Sequence, residues 1–286
     1  MSKAIHTLNP KPISQSQVMG NFPKRPSDSH KGLFGTVAII GGASGMIGAP
    51  LLAARAALKL GTGSVHVGML AENAPVVDMQ QPELMLHSAS AALRLPNVDV
   101  YAIGCGLGTS LAAQKLLYEV LKHNVALILD ADALNLLACH ADLQEDLRNR
   151  KAATILTPHP GEAARLLHCK TDEVQAGRIE TISALSKKFT CDIVLKGSNS
   201  LCITTDEQLF INKTGNAGMS SAGMGDVLTG MIAAFIAQGQ SVKDAMLLAV
   251  HLHGAAGDAL AQQQATIGMT ATEITEWARW LLNKWL

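Results

Sequence analysis

A chain of 286 residues suits one large α/β domain or two small ones around a sizeable core. With 48% apolar and only 16% charged residues it is no disordered segment. A formal net charge of zero and 3% aromatics exclude the basic patches and stacking platforms of nucleic-acid binders, and give no reason for an anionic membrane as partner.

In chain order, residues 1–27 are polar and proline-rich and are read as an arm or short leading helix, with one domain over 28–286. The first ten residues hold no apolar h-region, so no signal peptide is expected. No apolar run reaches the roughly 18 residues that span a bilayer. Five scattered cysteines without C-x-x-C favour free thiols in a reducing cytosol over a disulfide frame or zinc site, and the chain is expected to be cytoplasmic. From residue 36 the pattern alternates. Strands are expected at 36–40, 64–68, 98–103, 125–129, 153–156 and 193–195, and a hairpin at 201–204 and 208–211. Helices are expected at 49–60, 111–122, 131–138, from Glu162, at 171–188 as one long helix, and at 226–238, 241–263 and 270–283. Repeated β–α units imply a mainly parallel sheet with helices on both faces. Ligands of such sheets bind at the carboxyl ends of the strands, where the glycine loops, Asp130, His159 and Lys196 should gather.

The stretch 212–230, N-K-T-G-N-A-G-M-S-S-A-G-M-G-D-V-L-T-G, leads with five glycines into an apolar helix. Amides of Gly223, Met224 and Gly225 at a helix start make an anion site. Asp226 beside it is placed as the base that takes a proton from a hydroxyl attacking a phosphoryl group, although Asp also serves as a plain helix cap. The loop 41–48, G-G-A-S-G-M-I-G, lacks the lysine of a P-loop, so it is read as a tight turn or as backbone in contact with a ligand. The loop 104–108, G-C-G-L-G, imitates a dinucleotide-binding turn, with Asp130 in the place of a ribose-binding acid, but the third glycine is misplaced. Asp130, Asp132 and Asn135 at the next strand–helix junction serve as caps or as contacts to a ligand or its magnesium. In 157–162, T-P-H-P-G-E, two prolines stiffen the backbone around His159, with Glu162 in the first helical turn. Lys196, Gly197, Ser198, Asn199 and Ser200 suit nucleotide phosphates or ribose. His251 and His253 lack the i, i+4 spacing of metal ligands on a helix and are read as packing or surface residues.

Together these motifs resemble the ADP-dependent NAD(P)H-hydrate dehydratases of the ribokinase-like superfamily. The matching runs are H-K-G-x-F-G at 30–35, G-G-A-S-G-M-I-G-A at 41–49, G-x-G-L-G at 104–108, D-A-D-A-L-N at 130–135, T-P-H-P-G-E at 157–162, V-L-K-G at 194–197, N-x-x-G-N-A-G-M at 212–219 and G-M-G-D-V-L-T-G at 223–230. The resemblance implies a three-layer ribokinase-like fold and a carbon–oxygen lyase of metabolite repair. ADP would phosphorylate the ring hydroxyl of the S epimer of hydrated NADH or NADPH, and elimination of phosphate would restore the nicotinamide, leaving AMP. It further implies that Ala49, Gly106, His159 and Asp226 contact the hydrate and that 196–200 with Gly225 contact the nucleotide. Asp130, Asn135, Glu162 and Asn216 would support the site, and Mg2+ would sit on the phosphates without a full protein cage. A homotetramer and a separate NAD(P)H-hydrate epimerase are implied as well, since some 30 leading residues cannot hold the epimerase domain that many relatives carry. Two positions depart from the family pattern: Ala222 stands where glycine is frequent and Cys105 where proline is common. The competing readings are a sugar or vitamin-precursor kinase of the same fold, and a nucleotide-binding protein that has lost catalysis.

Overall fold

The molecule, a computed structural model, is described here for residues 9–286 except Asn21 and Lys24, so residues 1–8 of the expected arm lie outside the described residues. The strands are β1 (Lys11–Pro12), β2 (Thr36–Gly41), β3 (Ser64–Met69), β4 (Met85–Ser88), β5 (Val100–Ile103), β6 (Ala126–Leu129), β7 (Thr154–Leu156), β8 (Asp192–Leu195), β9 (Leu201–Ile203) and β10 (Leu209–Ile211). They form one sheet in the order β1-β10-β9-β8-β7-β6-β5-β2-β3-β4. Pairing is parallel throughout except where β9 meets β8 and β10 as the expected hairpin.

The central strands read as unbroken apolar runs because both of their faces are covered. Side chains alternate, so Val37, Ile39, Val100, Ala102 and Ile128 join one core while Ala38, Ile40, Tyr101, Ile103 and Leu129 join the other. The first core is roofed by helices Gly48–Lys59, Met224–Ala237, Val242–Gln263 and Ala271–Trp285. The second lies under Leu111–Leu121, Ala131–Cys139, Pro160–Leu167 and Arg178–Phe189.

Most expected elements appear within a residue or two of the expected bounds; four differences have physical causes. The helix expected over 171–188 is two, Thr171–Ala176 and Arg178–Phe189, broken at Gly177 with φ −130° and ψ 58°. The helix Ala141–Asn149 was not expected; it is polar and buries only Leu143 and Leu147, one turn apart. The edge strand β4 and the short helix Ala89–Ala92 were likewise not expected. In the N-terminal arm, β1 joins the sheet beside β10 and a short helix follows at Gln15–Met19.

Helices Gly48–Lys59 and Met224–Ala237 pack unusually closely because their contact is made by small residues. A Cβ on Gly230 would lie 1.9 Å from the carbonyl oxygen of Ala53, an atom of the facing helix's backbone. Gly230→Ala is therefore expected to force these helices apart and cost about 3 kcal/mol, seen as a lowered urea midpoint at unchanged m-value.

Candidate active site

The sheet order reverses direction of growth between β5 and β2, and the two glycine loops leave the carboxyl ends of these strands side by side. They are laced together: Gly42 N–H donates to the Cys105 carbonyl (3.2 Å) and Ala43 N–H to the Gly106 carbonyl (2.7 Å). Gly104, Gly106 and Gly108 all take positive φ, and a Cβ on Gly104 would lie 1.8 Å from the Asp130 carbonyl oxygen. The glycines thus permit loop-to-loop approach. The carboxylate of Asp132 accepts the Gly108 N–H at 2.8 Å and holds the loop.

The helix carrying Asp226 starts at Met224, two residues earlier than expected, with Gly223 as N-cap in the left-handed region (φ 87°) and no capping side chain. Asp226 is consequently not the cap; it lies in the first turn, beside amides that no capping side chain satisfies. Burial pushes its carboxyl up to about 6, the Cys105 thiol and Lys196 pull it down, and the negative field of Asp130 adds to the rise. Cys105 is fully buried, and its Sγ lies within 4.8 Å of carboxylate oxygens of both Asp130 and Asp226. The departure at Cys105 therefore adds a thiol next to the carboxylates, which the sequence reading did not foresee.

Asp130 caps helix Ala131–Cys139 through Ala131 N–H, and it does more. Lys196 Nζ donates to its Oδ1 at 2.6 Å and Thr229 Oγ1 to its Oδ2 at 2.8 Å. With 1% exposure the carboxylate would be costly to ionise alone; Lys196 overcomes that burial and holds it below the usual range, while Asp130 and Glu162 raise the lysine. A carboxylate so occupied is not free to bind a ribose, which removes the dehydrogenase-like reading of this loop.

After β7, His159 and Glu162 form a capping box on helix Pro160–Leu167. His159 Nδ1 accepts from Gly161 N–H (3.0 Å) and Glu162 N–H (3.4 Å), so the neutral ring carries its proton on Nε2. Burial and then the charges of Lys196 and Arg165 keep His159 below the usual histidine range. Glu162 Oε2 accepts His159 N–H at 2.7 Å, Oε1 lies 3.3 Å from His159 Nε2, and Lys196 Nζ stands 3.8 Å away. Burial, only partly offset by Lys196, pushes Glu162 up to about 6.

These groups share a cavity of about 680 Å³, within the usual range for small-molecule sites. His159, Glu162, Asp130 and Asp226 border it with Met224 and Gly225. The loop 196–200 forms another part; its Gly197 (φ 134°) lies against the Arg178 guanidinium, and Ser200 Oγ donates to the Gly197 carbonyl. Asn216 also borders the cavity, held by Asp258 through Nδ2 at 3.0 Å. Gly223 does not border it, and neither do Ala49 and Gly106, which adjoin one another: a Cβ on Gly106 would stand 3.1 Å from that of Ala49. Asn135 lies outside as well, donating to Asp132 and accepting from Arg165.

His253, read from the sequence as a packing or surface residue, instead borders the cavity with an Nε2 that has no partner among the described residues; burial pushes the ring down to about 4. His251, by contrast, packs near Trp285 at 5.9 Å between ring centroids, as expected of a packing residue. Asn212 and Thr214 were noted only as part of a glycine-rich run. In the fold they tie this loop to carbonyls of Val250 and His251. Among the described residues no helix is long and apolar enough to cross a membrane.

An anion-binding helix start with an elevated carboxylate in its first turn and a buried lysine nearby is equipped for phosphoryl transfer to a hydroxyl. The comparisons agree with that chemistry. The family described as NAD(P)H-hydrate dehydratase matches residues 37–279. The chain is 42% identical over 267 residues to the ADP-dependent (S)-NAD(P)H-hydrate dehydratase of Neisseria meningitidis, covering 92% of this chain and 90% of that protein. It is 41% identical to the bifunctional NAD(P)H-hydrate repair enzyme of Coxiella burnetii, covering 92% of this chain but only 53%, about half, of that protein. The crystal structure of the ADP/ATP-dependent NAD(P)H-hydrate dehydratase of Bacillus subtilis, grown with ATP and Mg2+, superposes with a TM-score of 0.88 at 29% identity, over 98% of this chain and all of that one. The chain belongs to the NAD(P)H-hydrate dehydratase family.

Proposed function

We propose that this protein is an ADP-dependent lyase of metabolite repair, which returns the S epimer of hydrated NADH or NADPH to the working cofactor and releases AMP and phosphate. The observation that carries the reading is Asp226, raised to about 6 in the first turn of an uncapped buried helix that opens on the cavity. Hydroxide is a poor leaving group and phosphate a good one. Asp226 takes the proton of the ring hydroxyl as it attacks the terminal phosphoryl group of ADP. The amides of Gly223, Met224 and Gly225, with Lys196, hold the charge that develops there. His159 orients the hydrate from the cavity, Ala49 and Gly106 contact the part of it that reaches beyond the cavity lining, and the loop 196–200 with Asn216 holds the nucleotide.

Magnesium is the ion this chemistry calls for. Cys105, Asp130 and Asp226 are the cluster of candidate ligands found among the described residues. It contains a soft thiol, and Asp130 is already bound to Lys196, which is not the hard oxygen shell magnesium takes. Magnesium would therefore be held through the nucleotide's phosphates rather than by this cluster, and would supply neutralisation of phosphate charge.

The protein is proposed to act in the cytoplasm, as a homotetramer, beside a separate epimerase that interconverts the two hydrates. The experiment follows absorbance at 340 nm with hydrated NADH, magnesium and either ADP or ATP. Recovery of NADH with one phosphate released per turnover is expected, and comparison of the nucleotides identifies the donor. The same Gly–Asp arrangement would serve an alcohol kinase, in which case phosphate stays on the product and no absorbance returns.

A further inference from the structure

The repair reaction, if it runs as set out above, must remove two protons in succession. The first leaves the ring hydroxyl during phosphoryl transfer. The second leaves the ring carbon beside the phosphorylated one, because restoring the double bond requires that carbon–hydrogen bond to break. Asp226 holds the first proton and, while it does so, is neutral and cannot accept another. A second acceptor is needed within the same cavity.

The other titratable groups that border the cavity are already engaged or unsuited. Asp130 is tied to Lys196 at 2.6 Å and to Thr229 at 2.8 Å. Lys196 is charged and, like the amine of Lys213, serves only as a donor. His159 has its Nδ1 lone pair on two backbone N–H groups and a proton on Nε2, so it has no free acceptor. His253 has its unpartnered Nε2 buried, and its helix lies next to Thr214 on the nucleotide side of the cavity. Glu162 differs from these. One of its oxygens, Oε2, is held by His159 N–H at 2.7 Å, which fixes the carboxylate. The other, Oε1, has a single long contact of 3.3 Å to His159 Nε2.

We propose that Glu162 is the second base: its Oε1 takes the carbon-bound proton in the elimination, after Asp226 has taken the hydroxyl proton. The assignment rests on the dehydratase reading. In the first step the hydroxyl O–H bond breaks towards Asp226, an O–P bond forms to the terminal phosphoryl group, and the P–O bond to AMP breaks. In the second the C–O bond breaks with its electron pair leaving on phosphate. The neighbouring C–H bond breaks with its proton going to Glu162, and its electron pair becomes the new C=C bond. No oxidant or reductant is consumed. Burial, which lifts Glu162 to about 6, makes it a better proton acceptor than an exposed carboxylate and leaves it largely ionised at neutral pH. Lys196 joins the two halves of the site. It stands 3.8 Å from Glu162, and its Nζ would be 3.1 Å from a Cβ on Gly225, so it is placed to meet the departing phosphate as well.

The test uses Glu162→Gln, which keeps an acceptor for His159 N–H but cannot take the proton. Hydrated NADH is mixed with ADP and magnesium, and AMP, phosphorylated hydrate and NADH are followed over the first turnovers. E162Q is expected to form AMP and accumulate phosphorylated hydrate, with NADH recovery down by about 100-fold or more. Hydrate prepared in D2O, carrying deuterium on the carbon that loses its proton, should slow NADH recovery in E162Q without slowing AMP formation. The proposal is overturned if E162Q restores NADH at the wild-type rate. It is also overturned if AMP and NADH fall by one common factor with no phosphorylated hydrate, since Glu162 would then serve binding or the first step. Should E162Q fail to bind AMP, Glu162→Ala takes its place, and absence of the accumulated intermediate in that variant overturns the assignment equally. Wild-type protein that restores no NADH with either nucleotide would instead remove the dehydratase reading itself, so the two failures are distinct.

Discussion

Asp226→Ala is expected to bind nucleotide almost as the wild type does and to lose turnover by about a thousandfold, the order of a removed general base. The carboxylate borders the cavity at the start of an apolar, buried helix, so its loss deletes a proton acceptor without opening a cavity in the core. Calorimetric titration with AMP and initial rates at 340 nm separate the two effects. The same carboxyl sets an acid limb for the wild type. A base works when deprotonated, and burial places Asp226 near 6, so the rate should fall roughly tenfold per pH unit below about pH 6. Turnover near normal in D226A would remove Asp226 from the chemistry and return the alcohol-kinase and inactive-protein readings to consideration on other grounds.

Lys196→Met is expected to cost about 3–5 kcal/mol of unfolding free energy, the largest single effect on stability in the site. The methionine has about the length of the lysine stem but leaves the Asp130 carboxylate buried without its cation, with neutral donors such as Thr229 Oγ1 and Ala131 N–H left to solvate it. Urea denaturation measures the loss. Adding Asp130→Asn, which removes the stranded charge, should recover a large part of it, and a double-mutant cycle then gives the coupling. A loss below about 1 kcal/mol in K196M would mean that water replaces the ammonium and that the pair is not structural.

Much of this architecture was legible in the chain. Strand–glycine–helix units announce themselves locally, because a buried parallel strand is a short apolar run and the turn after it needs positive φ. Edge elements were not legible. β4 pairs on one side only, and its four residues, M-L-H-S, are neither a continuous apolar run nor a clear alternation. Gly177 falls inside the single helix expected over 171–188, whereas it separates two helices. The helix Ala141–Asn149 had a signal that went unread, two leucines at i, i+4 in a charged stretch. In the site, residue types were visible and partners were not. Asp130 and Lys196 are 66 positions apart and meet only because β6, β7 and β8 are neighbours in the sheet. The proximity of Cys105 to Asp226 depends on helix Met224–Ala237 returning over β5, which no local pattern encodes.

The elevation of Asp226 and Glu162 also bears on how the whole molecule responds to acid. Each carboxyl binds its proton more tightly in the native chain than in the unfolded one, with ordinary values of 3.8 and 4.5 against about 6. Between roughly pH 4 and pH 6 the native state therefore holds more protons at these two positions, and their contribution to stability, complete below that window, is lost as pH rises through it. At neutral pH both side chains are spring-loaded: ionised, poorly solvated, and raising the free energy of the native state until a ligand arrives to donate hydrogen bonds to them or their charge is quenched. Protonation of these two carboxyls relaxes that load and silences the base in the same event, while His253, held down to about 4 by burial, pulls the other way over the same window because the unfolded chain takes up that proton and the native one does not.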